Sequence, residues 1–134
     1  MKNVIKHCYG CDVSKDVVDI TPGVISSDQH VRLLESRTFK NDLKGFGQLM
    51  KWVKLARAKE VPIVFVMEAT GVYHERLSYF LVDQGQNVSV VLPNRAAAFA
   101  KTLEVKTITD KQASRSLCRM GLEKKLPLWR KPDP

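Results

Sequence analysis

The sequence predicts an α/β domain built on a mixed five-stranded sheet, three antiparallel strands followed by two parallel ones, with helices on both faces. Three observations carry this. Extended, β-rich runs come first, in close succession from Val4 to Phe39 and separated by short turn-forming gaps. An amphipathic run of about five turns follows from Asn41 to Arg57. A continuous apolar run, 62–67, and a second short buried run, 87–92, are then each followed by a helical pattern, an order that requires parallel crossovers.

The first run begins at Val4 and carries Gly10 and Asp12 into a turn at Ser14, Lys15 and Asp16, after which Val17-Val18-Asp19-Ile20 starts the second. This is a hairpin with a carboxylate at its bend. Thr21-Pro22-Gly23 reads as a loop or bulge, and His30 to Phe39 as a third strand whose Arg32, Glu35 and Arg37 suit a sheet edge. Asn41 offers an N-cap for the first helix, whose Leu43, Phe46, Met50 and Val53 form an apolar stripe beside Leu49 and Trp52. The run PIVFVM is apolar throughout, as a strand buried on both faces must be, and ends at Glu68. Thr70 and Gly71 lead into a second helix with Tyr73, Leu77, Phe80 and Leu81 on its stripe, closing near Gly85. After NVSVVL comes an Ala-rich helix, Arg95 to Ala100. A last helix is expected from Thr109 as N-cap to Gly121, with Ala113, Leu117 and Met120 on one side.

A chain of 134 residues, 44% hydrophobic and 27% charged, is one domain's worth of ordinary globular material. No apolar run approaches the roughly 20 residues needed to span a bilayer, and the N-terminus lacks the features of a signal peptide. A cytoplasmic location is expected, with no membrane partner. The net charge of +8 favours an anionic polymer, because clustered Lys and Arg displace counterions from a phosphate backbone. From Lys101 onward nine basic residues face four acidic ones, which places +5 of the +8 there. Cys8, Cys11 and Cys118 are too few and too oddly numbered for a disulfide framework. Cys8 and Cys11, three apart on a strand, point to opposite faces and cannot share a zinc.

Three antiparallel strands, a helix, then parallel strands with crossover helices is the ribonuclease H-like pattern, in which the first strand is central and the fourth lies beside it. Asp12 and Glu68 then meet at one edge of the sheet. Two carboxylates so close repel unless a cation lies between them, which argues for Mg2+ or Mn2+. Asp110, at the start of the last helix, is the natural third. Thr70 and Gly71, at the head of a helix, are placed to offer backbone N–H groups to a phosphate. Lys15, Arg95, Lys101, Lys106, Lys111, Arg115 and Arg119 are the candidate nucleic-acid contacts. Trp52 is read as a packing residue, Tyr73 as part of the second helix's stripe, and His74 as exposed. Trp129 is open to either packing or stacking.

The segments GCDVSKDVVDI, MEATGVYHERL, VLPNRAAAFAK and KTITDKQASRSL, in that order and across nearly the whole chain, resemble the RuvC-like catalytic domain of the DEDD transposases, the Piv invertase-like insertion-sequence recombinases guided by a bridge RNA. Glu68-Ala69-Thr70-Gly71-x-Tyr73 is the most specific piece. The resemblance implies Asp12, Glu68 and Asp110 as catalytic metal ligands, Mg2+ or Mn2+ as cofactor, and metal-assisted cleavage and strand transfer on DNA. It also implies a guide RNA, a homo-oligomer in the full-length protein, and a second, C-terminal domain whose serine attacks DNA. Residues 1–121 would be the RuvC-like domain and 122–134 a basic tail or the start of a linker, so strand exchange by this chain alone is not expected. One departure matters. The family pattern D-x-x-D-A is here Asp110-Lys111-Gln112-Ala113-Ser114, and Ala113 cannot coordinate a metal. Ser114 offers a neutral oxygen that binds at most through water, and its other reading is a solvent-facing helix serine. A catalytically impaired nucleic-acid-binding module is the alternative. The actin-like ATPase and sugar kinase class shares the core fold and an opening like Gly10 to Ser14, but it needs a second Asp-Gly phosphate loop that is not seen.

Overall fold

The computed structural model describes residues 3–56, 61–103 and 112–132. At its centre β1 (Val4–Val13) pairs antiparallel with β2 (Val17–Ser26) on one side and parallel with β5 (Ile63–Glu68) on the other. Beyond β5 lies β6 (Asn87–Val91), also parallel. The β1–β2 turn is closed by Ser14, whose backbone N–H and hydroxyl both donate to the Val17 carbonyl at 2.9 Å.

The outer strand differs from expectation. It is interrupted, with β3 (Val31–Leu33) pairing with Gly23–Ile25 and β4 (Arg37–Lys40) with Val17–Ile20, so the sheet has six strands. Conversely, Thr21-Pro22-Gly23 is not a loop, and β2 runs through it. Both corrections have one cause. The Pro22 carbonyl accepts from Leu34 N–H at 2.8 Å, so Pro22 faces the outer strand there, and its ring nitrogen has no hydrogen to give that neighbour. The central strand tolerates Pro22, and the outer strand breaks opposite it.

Helices α1 (Leu43–Ala56) and α2 (Glu75–Asp83) cover one face of the sheet, α3 (Pro93–Lys101) and α4 (Ala113–Glu123) the other. The first core gathers Tyr9, Cys11, Ile20, Phe65 and Met67 with Phe46, Leu49, Leu77 and Leu81. Trp52 packs at its margin, edge-on to Tyr9 with centroids 5.9 Å apart. The second core gathers Cys8, Val64, Val66 and Val91 with Phe99, Leu117 and Met120. Cys8 and Cys11 thus lie on opposite faces, and all three cysteines are free and buried.

Helix boundaries correct several expectations. Asp42, not Asn41, caps α1, its Oδ1 accepting Gly45 N–H at 2.8 Å. Residues 71–74 form turns, with Gly71 at φ +62°, so α2 starts only at Glu75. Tyr73 therefore precedes the helix and is 44% exposed, whereas His74, at the N-cap, is buried at 8%. Extended Gln112 precedes α4, and the helix continues through Gly121 to Glu123, while Thr109, the expected cap, lies outside the described residues.

Gly121 does not stop the helix because its missing side chain serves packing. A Cβ there would strike Cys8 Sγ and Val66 Cγ2. Similarly, a Cβ at Gly10 would collide with the Ser114 carbonyl and the Cys118 backbone nitrogen, and one at Gly23 with Cys118 Sγ. The helix thus rests on the strand backbones. After it, Trp129 N–H donates to the Val88 carbonyl at 2.7 Å, and its ring meets Tyr79 edge-on at 5.3 Å, which assigns Trp129 to packing. No helix among the described residues is long and apolar enough to cross a membrane.

Adding one methyl at Gly10 should destabilise the fold by about 3 kcal/mol or more, since backbone atoms cannot turn aside as a side chain does. Gly47→Ala in α1, where a Cβ meets nothing within 4 Å, should instead stabilise it by up to about 1 kcal/mol. Urea denaturation of the two variants measures both.

Candidate active site

Glu68 and Asp12 come together through strand register. The last registered pair of the parallel β1–β5 ladder is Cys11 with Met67, so Asp12 and Glu68 are the next residue on each of two neighbouring strands. Side chains alternate, and Cys11 and Met67 point into the α1–α2 core. Asp12 and Glu68 therefore share the α4 face, at the carboxyl ends of their strands.

A third carboxylate joins them. Asp19 on β2 is the direct partner of Asp12, and its neighbours Val18 and Ile20 face the opposite core, so Asp19 also projects on the α4 side. Thr38 holds it by donating to Oδ1 at 2.6 Å. Sequence reasoning missed Asp19. The signal was available, because a turn centred between Lys15 and Asp16 sets residue 12 opposite residue 19.

The row of acids is electrostatically uncomfortable. Neither the Asp12 nor the Glu68 side chain has a hydrogen bond or ion pair with a described residue. Asp12 remains exposed as a residue, yet partial desolvation at the sheet edge, with Asp19 opposite adding to it, raises its carboxyl above the usual range. Carboxylates without a protein cation to balance them are the donor set a hard divalent ion takes. Among the described residues, however, no group of three acidic, His or Cys side chains is arranged to hold a metal by itself. Asp110 lies outside the described residues, as do Lys106 and Lys111.

Helix α4 bounds the site. Ser114 lies over Gly10 while Gly121 lies over Cys8, so the helix runs antiparallel to β1 and turns its amino end, the positive end of its dipole, toward Asp12. Ser114 is not solvent-facing. It is 7% exposed, and its hydroxyl is hydrogen-bonded to that of Thr21 at 2.8 Å. Ala113 shares a cleft of about 190 Å3 with Glu68, Ala96, Ala97, Ala100, Ser116 and Leu117. The position without the family's aspartate thus opens onto the same space as Glu68.

Residues 9–134 match a family described as Transposase. The chain belongs to the DEDD transposase family. It is 36% identical over 124 residues to the pilin gene-inverting proteins of Moraxella bovis and of Moraxella lacunata. Each match covers 92% of this chain and 37% of the relative, so the chain spans little more than a third of their length. Among solved structures, Thermus thermophilus RuvC in complex with a Holliday junction substrate superposes with a TM-score of 0.63 at 9% identity, covering 92% of this chain and 99% of that one. A second Thermus thermophilus RuvC structure gives 0.62 at 10%, with the same coverage. The fold is RuvC-like.

Within this DEDD transposase domain the other expected residues disperse. Thr70 precedes and Gly71 opens the turn that leads into α2, so neither is at the helix head where a phosphate role was expected. Lys15, Arg95 and Lys101 are exposed. Arg119 is engaged with Glu123 at 2.8 Å, and Arg115 is half-buried and also engaged.

Asn41, read from sequence as a cap, instead ties the loops that flank the acids. Its Nδ2 donates to the Ser14 carbonyl at 2.9 Å, two residues beyond Asp12, and to the Tyr73 carbonyl at 3.1 Å, five beyond Glu68. Its backbone N–H donates to the Asp16 carbonyl at 2.9 Å. Replacing Asn41 by Ala should cost about 1–3 kcal/mol, because two carbonyls lose their partner in a part-buried place; thermal denaturation checks it. A second expectation concerns pH. An aspartate harder to ionise in the fold than in the unfolded chain lowers stability as pH rises from its unfolded pKa near 4 through its higher folded value. Asp12→Asn should therefore raise Tm at pH 7. That gain should fade as pH falls below about 4, which melting curves from pH 3 to pH 7 without divalent metal would show.

Proposed function

We propose that this chain is the first catalytic domain of a DNA transposase or recombinase that cleaves and transfers phosphodiester bonds with Mg2+ or Mn2+. One observation carries the reading. Asp12 and Glu68 stand side by side at the carboxyl ends of two parallel strands, without a cation from the described residues. Asp12, Glu68 and, by family resemblance, Asp110 are the residues that would hold the metal. When bound, divalent ions supply stabilisation of the attacking and leaving oxygens of an in-line displacement. The protein's part is to fix the carboxylates on rigid strand ends, to keep them from neutralising themselves internally, and to aim the positive end of α4 at the same place.

The names of the relatives support a DNA-rearranging role, as does a fold shared with a protein solved on a Holliday junction. DNA as substrate, a guide RNA, assembly into a homo-oligomer and a cytoplasmic setting belong to this reading. So does a division of the whole protein, with residues 1–121 as this domain, 122–134 leading onward, and a second domain supplying a nucleophilic serine.

Ala113 favours a second reading, a nucleic-acid-binding domain with weakened metal affinity. Calorimetric titration with Mn2+ separates the two. Under the first reading the chain binds Mn2+, and both Asp12→Asn and Glu68→Gln abolish the signal. Ala113→Asp, which adds a carboxylate to the cleft shared with Glu68, should tighten binding roughly tenfold. If neither the native chain nor Ala113→Asp takes up Mn2+, the catalytic reading fails and the binding reading stands.

A further inference from the structure

A hollow of about 700 Å3 lies at the same end of the sheet as Asp12 and Glu68, on the side of α1 and α2. Its walls come from three places in the chain: the β1–β2 turn with Lys15 and Asp16, the β4–α1 junction with Lys40, Asn41 and Asp42, and the β5–α2 turn with Val72, Tyr73 and Arg76. Asn41 joins all three through its bonds to Ser14, Asp16 and Tyr73, so the hollow is preformed.

Its chemistry is that of a nucleotide strand. Lys15, Lys40 and Arg76 are exposed and make no ion pair with a described residue. Three cations thus face two carboxylates, Asp16 and Asp42, and Asp42 is turned to Gly45 N–H as a helix cap. Tyr73 is 44% exposed and packs against no aromatic ring among the described residues. Cations beside an exposed ring are the arrangement that binds an unpaired strand, phosphates to the charges and a base to the ring face. A duplex keeps its base faces stacked inside and has none to offer Tyr73.

We infer that this hollow binds a single-stranded segment of nucleic acid and leads it toward the carboxylates. Lys15, Lys40 and Arg76 hold phosphates, and Tyr73 stacks on a base. Lys15 is three residues after Asp12 and Tyr73 five after Glu68, so a strand seated here continues across the end of the sheet to the acids. The inference rests on the nucleic-acid reading above and gives it a strand type and a place.

The test is fluorescence anisotropy with a labelled 12-nucleotide DNA strand, the RNA strand of the same sequence, and the matching DNA duplex. The chain is compared with a Lys15→Ala, Lys40→Ala, Arg76→Ala variant and with a control, Lys6→Ala, Lys124→Ala, Lys125→Ala, which removes equal charge at the far end of β1. The hollow variant should lose at least roughly tenfold in single-strand affinity, and its log–log salt slope should fall by about 2, while the control changes less than about threefold. Tyr73→Ala should weaken single-strand binding by roughly fivefold or more and leave duplex binding unchanged, with Tyr73→Phe retaining it. Loss on the DNA strand alone assigns the hollow to the cleaved polymer, and loss on the RNA strand alone assigns it to a guide. Equal losses in the hollow variant and the control, or a neutral Tyr73→Ala, overturn the inference while leaving the nucleic-acid reading intact. A native chain that binds none of the three probes overturns both.

Discussion

The close seating of α4 on the sheet is the constraint from which the site follows. Gly10 and Gly23 on the strands, and Gly121 on the helix, remove the side chains that would hold the two layers apart. The gap they leave is filled by backbone and sulfur, with Cys118 Sγ donating to the Cys8 carbonyl at 3.3 Å and the Ser114 and Thr21 hydroxyls bonded across the interface. A helix lying directly on strand backbones cannot rotate or slide without collision. Its amino end is thereby fixed over the end of β1, and Ala113 is fixed beside Glu68.

The two faces of the sheet contribute differently. On the α4 face the acids Asp19, Asp12 and Glu68 lie in a row across three neighbouring strands, and partial desolvation, with Asp19 opposite adding to it, makes Asp12 harder to ionise there. The α1–α2 face is a conventional aromatic core, with Tyr9 stacked on Phe65 at 4.9 Å and Phe46 against Phe80 at 5.3 Å. That core holds the strand ends rigid, and at its rim Asn41 brings together the β1–β2 turn, the β4–α1 junction and the β5–α2 turn.

Much of this was legible in the sequence because strand ends are marked by composition. The run from Pro62 to Met67 stops at a charge, and the first apolar run stops at Asp12, so the meeting of Asp12 and Glu68 follows from topology. What escaped were features with no periodic signature. The turn through Gly71 delays α2, which exchanges the exposures expected of Tyr73 and His74. The apolar pattern of α4 shows Leu117 and Met120, while the stripe against the strands, Ser114, Cys118 and Gly121, is small and partly polar and passes for surface. Pro22 looked like a break in its own strand, and the break fell on the neighbouring one.

That interruption bears on how copies of the domain can meet. On one flank the sheet ends in two pieces of three and four residues, and on the other the Trp129 segment already bonds to Val88 of β6. Neither flank presents a long ladder of free backbone groups for another molecule's strand to extend. Among the described residues sheet continuation therefore has little free backbone to use at either side, and contacts through helix surfaces and side chains would leave undisturbed the strands that carry the acids.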